Sequence, residues 1–490
     1  MSEYDQIMKL ALERGFYFPS CEIYSDALAG FWEYGPIGLK MKNKFIDLWR
    51  RELVRRDGMW EIDGTQIMSK KVFNASGHLG NFSDPVIKCT KCNSTFRADR
   101  FVSEKTGENI PERASNDTID MLIEKHSVRC PKCNGEFGHT NRFNMMFKVE
   151  VGPSADEAYL RPETCQSIFV DFARVFKIMR GRLPIAVAQI GKSFRNEIAP
   201  RQSLLRLREF YQAEIEVFCN PKKLDDVPMY DDVKNTIINF YDERSLQELS
   251  AQEALDKGLL PNRLVAYYLA ILNQFYSKTG IDMKRSRFRR LSDTEKAFYA
   301  SVAYDYEVET SLGWLELVAC NYRSDYDLRG HLTTSKQNLE VIDPSDQTKI
   351  LPHVFELSMG IDRSLYTILE HSYYEDYDHD ERVVLRLKPY LAPITVGVLP
   401  LMTKDGLGEK ARSIYAALRK DFDVFSDESG SIGRRYRRLE EIGVPYAITI
   451  DKISMADETV TIRDRDTMEQ ERVRISELNQ FLSKALKVCE

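Results

Sequence analysis

Residues 183–219 constrain this chain most. The first arm, 183–190, is apolar and partly β-branched, the composition of a buried strand. The second arm alternates: Gln212, Glu214 and Glu216 fall on one side of an extended chain, and Ala213, Ile215 and Val217 on the other. Between the arms lie Arg195, Glu197, Arg201, Arg206 and Arg208. So much charge beside a hydrophobic sheet predicts a site for a polyphosphate, because guanidinium forks match phosphate oxygens in pairs. A hairpin with a solvated basic tip is the plain structural alternative.

The chain has 490 residues, room for roughly two to four domains. With 43% hydrophobic and 29% charged residues it reads as globular. A net charge of −6 excludes binding to nucleic acid through bulk charge, so any such contact must be a local basic patch. No apolar run reaches the length of a membrane-spanning helix, and the first residues mix acids and bases unlike a signal peptide. Nine cysteines in a chain this long do not suggest a secreted disulfide framework; a reducing, cytoplasmic setting is expected.

Ile7, Leu10 and Leu12 suggest an opening helix, and Pro36 stands where a second helix should begin. Met41, Phe45, Leu48, Trp49 and Leu53 give that helix an apolar face. Residues 86–150 differ in character. Cys89 and Cys92 form one Cys-x-x-Cys knuckle, Cys130 and Cys133 another, and four thiolates so paired can close a structural, tetrahedral zinc site. Residues 220–300 read as mostly helical and charged, with a basic run at 284–290 that is either a solvated face or a contact for RNA phosphates. In 313–328, Trp314, Glu316 and Val318 alternate with Leu315, Leu317 and Ala319. An acid in so apolar a strand needs a cation, which makes Glu316 a candidate Mg²⁺ ligand. Residues 351–371 read as a strand bearing Val354, Glu356 and Ser358 on one face, a turn at Gly360, and a helix with Arg363 in its first turn. From about Pro389 strands and helices alternate, predicting an α/β domain with a parallel sheet. Its glycine-rich loop at 429–433 lacks the Lys-Ser/Thr of a P-loop, and Arg434, Arg435, Arg437 and Arg438 beside Tyr436 offer a surface for RNA.

Together these motifs resemble the class II aminoacyl-tRNA synthetases. Phe194-Arg195-Asn196-Glu197 with Arg206-Leu207-Arg208-Glu209-Phe210 is similar to their second signature, and Gly360 with Arg363 to the third. The segment from Gly35-Pro36 resembles the first, which lies at a dimer interface, and Arg161-Pro162-Glu163-Thr164 with Glu356-Leu357-Ser358 resembles the glycyl members of the homodimeric archaeal and eukaryal type. The resemblance implies an α+β fold: an antiparallel-sheet catalytic domain with a zinc-knuckle insertion, then an α/β anticodon-binding domain. The implied boundaries are 1–85 and 151–388 for the catalytic parts, 86–150 for the insertion, and 389–490 for the last domain.

It also implies activation of glycine by ATP and transfer to tRNA(Gly) by a homodimer that engages neither membrane nor DNA. Arg195 and Arg363 are the implied catalytic residues. The implied ATP site adds Asn196, Glu197, Arg206, Leu207, Phe210, Glu316 and Leu317, with Mg²⁺ on Glu316. The implied glycine site is Glu163, Glu214, Arg323, Glu356 and Ser358. Two alternatives stay open. One is a class II enzyme for another amino acid; the other is a non-catalytic, synthetase-like subunit that binds nucleic acid.

Overall fold

The computed structural model describes residues 2–111, 114–200, 202–242, 245–377 and 382–487; Arg201 of the charged loop lies outside them. A nine-stranded sheet carries the larger part of the chain. Its strands are β1 (Trp60–Ile62), β2 (Ile185–Phe194), β3 (Glu209–Cys219), β4 (Ile237–Tyr241), β5 (Leu246–Ser250), β6 (Ser286–Arg290), β7 (Val302–Thr310), β8 (Gly313–Ser324) and β9 (His353–Gly360). They lie in the order β5-β4-β6-β7-β8-β9-β3-β2-β1, and from β6 through β2 every neighbour is antiparallel.

The alternation of β3 sorts its two faces. Ala213, Ile215 and Val217 enter the main hydrophobic core, and Gln212, Glu214 and Glu216 line the other face. Helices α1 (Pro36–Trp49), α2 (Gln166–Ile178), α3 (Arg263–Ser277) and α4 (Ile361–Ser372) pack around the sheet. Pro36 occupies the first turn of α1, where its missing N–H costs nothing. Met41, Phe45, Leu48, Trp49 and Leu53 are all buried, and Phe45 meets Phe275 of α3 with ring centroids 5.5 Å apart. The apolar face of α1 is therefore covered by this chain's own core. Those side chains are not free to form the dimer interface that the resemblance implies for this segment.

Two further expectations change. Residues 220–300 are not mostly helical: β4, β5 and β6 extend the central sheet, and α3, buried over most of its surface, packs within the core. The basic residues of 286–290 lie instead on β6, an inner strand of that sheet. The last domain is a mixed sheet rather than a parallel one. After β10 (Val396–Pro400), α5 (Leu407–Leu418), β11 (Val424–Ser426), α6 (Ile432–Glu441) and β12 (Tyr446–Ile450) come β13 (Thr459–Asp464), β14 (Gln470–Arg474) and α7 (Leu478–Ala485). β10 is parallel to β11 and β12, while β13 and β14 add antiparallel strands at one edge. This domain has its own core around Val396, Ile414, Ile448 and Leu482, yet Leu439, Ile442 and Val444 join the core of the larger sheet.

Candidate active site

The polar face of the central sheet builds the site by register. Gln189, Glu214, Ser358 and Ala319 lie in one row across β2, β3, β9 and β8. Val187, Glu216, Glu356 and Asn321 form the next row. Residues distant in the chain meet because each strand repeats every two residues.

A cleft of about 880 Å³ opens above these rows. One end is cationic. Arg195, just past β2, donates from Nε to the Pro162 carbonyl at 3.1 Å, and its guanidinium lies 5.3 Å from the Phe210 ring centroid and 5.5 Å from that of Phe82. Arg206 pairs with Glu197 at 2.7 Å. Arg363 reaches the Leu205 carbonyl at 3.2 Å and the Glu316 carboxylate at 3.4 Å. Leu207, Phe210 and Leu317 also line the cleft. Arg208 points away and is tied to the carbonyls of Glu197 and Ala29. Asn196 is not on the cleft wall; its backbone N–H holds the Met145 carbonyl at 2.8 Å.

The other end is acidic and enclosed. Glu163 lines it and accepts hydrogen bonds from Gln166 Nε2 at 2.8 Å and Cys165 Sγ at 3.0 Å, with His78 at 3.4 Å and Arg323 at 3.7 Å. Burial opposes its charge, but His78 and Arg323 together hold its carboxyl well below the usual range. Ser358 lines the cleft and donates to Glu214 at 2.6 Å; Glu214, beneath it, also takes the Thr164 hydroxyl at 2.5 Å. Glu356 and Arg323 sit deeper. Arg323 is bidentate to Asp327 at 2.6 and 2.7 Å and donates to Glu356 at 2.8 Å. Burial and neighbouring acids push Glu356 up to about 8 despite Arg323. Of the five residues expected at glycine, Glu163 and Ser358 thus line the cleft, and Glu214, Glu356 and Arg323 support them from below.

The family model described as the tRNA synthetase class II core domain (G, H, P, S and T) matches residues 147–372, and the anticodon binding domain matches 395–485. The glycine–tRNA ligase of Methanothrix thermoacetophila is 39% identical over 96% of this chain and 95% of its own length. Those of Methanocaldococcus jannaschii and Pyrococcus furiosus are 37% and 38% identical, each over 99% of both chains. The chain belongs to the glycine–tRNA ligase family. A solved threonyl-tRNA synthetase RNA-binding domain from Cryptosporidium parvum has a similar fold, with a TM-score of 0.61 at 20% identity over 100% of this chain and 99% of that one.

Within this family frame the fold is a class II catalytic core followed by an anticodon-binding domain. Between the first helices and that core the four expected cysteines converge. Their sulfurs lie within 4.8 Å of one another, with Cys89–Cys133 at 3.5 Å and Cys92–Cys130 at 3.6 Å. Four sulfurs about 2.3 Å from a tetrahedral zinc stand about 3.8 Å apart, so the set fits that ion. Gly135 leaves the room: a Cβ there would come within 3.2 Å of the sulfurs of Cys89 and Cys133.

The two basic runs are largely committed to structure. Arg287 and Arg289 both bind Glu307, and Arg287 lies 3.8 Å from the Trp314 ring centroid. Arg435 is buried on the carbonyls of Pro400 and Gly430, and Arg438 pairs with Asp427. Arg434 and Arg437 are exposed.

Sequence patterns missed several cleft residues. Tyr299 comes from a segment with no periodicity. Asp362, at the start of α4, lines the cleft and accepts from Tyr34 and from the Tyr211 N–H; burial raises it to about 6. Glu216 is fully buried with no hydrogen-bond partner on either oxygen. Its place beside Glu356 follows from strand pairing, which no single strand displays. Leu317 was found by motif, but the reason for its position is a bulge. Glu307 faces Glu316 and Tyr306 faces Val318, so Leu317 is the extra residue and the alternation of 314–319 breaks there.

Proposed function

We propose that this cleft activates glycine with ATP and transfers it to tRNA, as glycine–tRNA ligase. The observation that carries the reading is one sheet face that brings three arginines and a small acidic recess into a single cleft. ATP lies along the arginines, its α-phosphate on Arg195, its distal phosphates on Arg206 and Arg363, its adenine against Phe210. Glycine occupies the recess, its ammonium near Glu163. Its carboxylate then attacks the α-phosphorus, and the α–β bridging bond breaks to release pyrophosphate. In the second step the terminal ribose hydroxyl of tRNA attacks the carbonyl carbon, AMP leaves, and the hydroxyl proton passes to the departing phosphate. Positioning and charge neutralisation supply most of the rate, so no side-chain nucleophile is required. Glu316 is the carboxylate at the cleft with a half-exposed side chain and hard oxygen donors. It would hold Mg²⁺, which when bound neutralises charge on the pyrophosphate.

The recess suits glycine because walls can reject every larger amino acid by clash, whereas rejecting a smaller one by lost contacts yields only about 1–3 kcal/mol per methylene. Pyrophosphate exchange across all amino acids tests this, with exchange expected for glycine alone. Exchange driven by threonine, serine, proline or histidine instead would show another member of the class; none with any amino acid would show a non-catalytic relative. Glu163→Gln is expected to raise the glycine KM by roughly ten- to a hundred-fold, since a hydrogen bond to a charged group is worth about 1.5–3 kcal/mol. The ATP KM should stay within about twofold, because arginines hold the phosphates. A raised ATP requirement with unaltered glycine use would move Glu163 to the nucleotide site.

The active form on this reading is a cytoplasmic homodimer with one structural zinc per chain. Exposed Ile23, Tyr24 and Leu28 in the segment preceding α1, and half-exposed Trp60 on the edge strand β1, supply the apolar surface for a second copy. Native mass spectrometry checks both claims. The expected mass is two chains with two zinc ions, collapsing to two metal-free chains after acid treatment. A zinc-free monomer that retains full exchange activity contradicts them.

A further inference from the structure

The acidic recess has a wall that none of the signatures predicts. Tyr299 lies in the connection between β6 and β7. Hydrogen bonds tether that connection at both ends: Leu291 N–H to the Ala303 carbonyl at 3.0 Å, and Ser301 N–H to the Tyr322 carbonyl at 2.8 Å. Its ring faces three ways. It lines the narrow end of the cleft beside Glu163, Ala319 and Ser358. It also lines a shallow depression open to solvent, whose other walls include Ser301, Ser324 and Thr333. Between the two, the Arg323 guanidinium lies 3.6 Å from the ring centroid. Phe298, 5.0 Å away, braces the ring from the side.

We propose that Tyr299 is a specificity-determining residue: its ring, stacked on Arg323, partitions the amino-acid recess from the solvent-open depression behind it and so excludes amino acids that carry a side chain. This rests on the reading of the cleft as a glycine-activating site. Two features of the ring suit it to the task. It is flat and rigid, with only two side-chain torsions, so it forms a wall without gaps. Its face also satisfies the guanidinium of Arg323, which already spends its N–H groups on Asp327, Glu356 and Glu163. Burial, with Glu356 and Glu163 nearby, holds the phenol above its ordinary value, so the wall stays neutral. Removing the ring joins the recess to empty space large enough for a methyl or hydroxymethyl group, and it frees one face of Arg323.

The test is pyrophosphate exchange with glycine, alanine and serine, at saturating ATP, for the full-length wild type and for Tyr299→Ala, Tyr299→Leu and Tyr299→Phe. For Tyr299→Ala, the ratio of kcat/KM for alanine to that for glycine is expected to rise at least tenfold, with the ATP KM within about twofold of wild type. Tyr299→Phe keeps the ring and should restore rejection of alanine. Tyr299→Leu, which retains more bulk, covers the case in which the alanine variant does not fold; its ratio should also rise. An unchanged ratio in whichever truncated variant folds overturns the proposal. So does an equal loss with glycine and alanine, or a Tyr299→Phe variant that discriminates no better than Tyr299→Ala. Failure of the underlying reading looks different, since the wild type itself would then show no glycine-dependent exchange.

Discussion

Arg195→Ala is expected to lower the kcat of glycine-dependent pyrophosphate exchange by about 10²–10³-fold, the scale of removing one donor to a developing oxyanion. The argument is geometric. Arg195 is held at the Pro162 carbonyl between the rings of Phe82 and Phe210, so its fork points into the cleft before any ligand arrives. An oriented cation stabilises charge that grows at the α-phosphoryl oxygens without reorganising. The glycine KM should change little, because the glycine ammonium is assigned to Glu163 and Arg195 serves the phosphoryl group. Arg195→Lys should recover only part of the rate, since an ammonium cannot reproduce a bidentate fork or stack between two rings. The folded state should tolerate the change, because Arg195 is only half-buried and, among the described residues, makes no ion pair that its loss would strand. Steady-state exchange with a thermal melt on the same sample checks all of this. A fall of less than tenfold in kcat would remove Arg195 from the reacting centre.

Much of the frame is legible because it depends on local rules. The two-residue alternation of 212–217 specifies which face of β3 is buried, Pro36 marks the start of α1, and paired Cys-x-x-Cys knuckles announce a sulfur cluster. What escapes the sequence is relational. Glu214 beside Ser358, and Glu216 beside Glu356, are facts of strand register, and the pairing partners are 144 and 140 residues apart by number. The bulge at Leu317 is invisible for the same reason: it exists only against β7. Charge misled wherever it was already matched. Arg287, Arg289, Arg435 and Arg438 look like an RNA surface one residue at a time, yet each has a carboxylate or a carbonyl to bind within the fold. Residues 220–300 look helical because their acids and bases are dense, yet an inner strand such as β6 can carry the same composition when its charges are paired. Tyr299 has no local signal at all, since a loop residue is recognised only by what its ring separates.

Arg323→Met is expected to be the most destabilising single change in the site, by about 3–5 kcal/mol, the cost of stranding buried charges by removing their partner. Arg323 is fully buried and touches Asp327 twice, Glu356 once and Glu163 at longer range. Glu214 and Glu216 lie in the same buried layer, so one guanidinium serves a cluster of acids. Lysine is a poor substitute, because a single ammonium cannot reach Asp327 in two directions and Glu356 in a third. The pH dependence gives the mechanism its own signature. Glu356 already sits at about 8 in the fold against its ordinary 4.5, so the folded state binds its proton more tightly than the unfolded chain. A group raised in this way contributes stability that is complete below about 4.5 and lost as pH rises through about 8. Without Arg323, Glu356 rises further and Glu163 loses a cation that holds it down, so the folded state takes up still more protons. The deficit of Arg323→Met relative to wild type should therefore shrink at pH 6 and grow at pH 8. Adding Asp327→Asn should recover part of the loss, because one stranded charge is then gone. Thermal and urea unfolding of the three proteins at the two pH values measures the effect. A deficit that is the same at both pH values, or that the second substitution deepens, would mean that Arg323 acts through packing against Phe169 and Tyr299 and not through its charge.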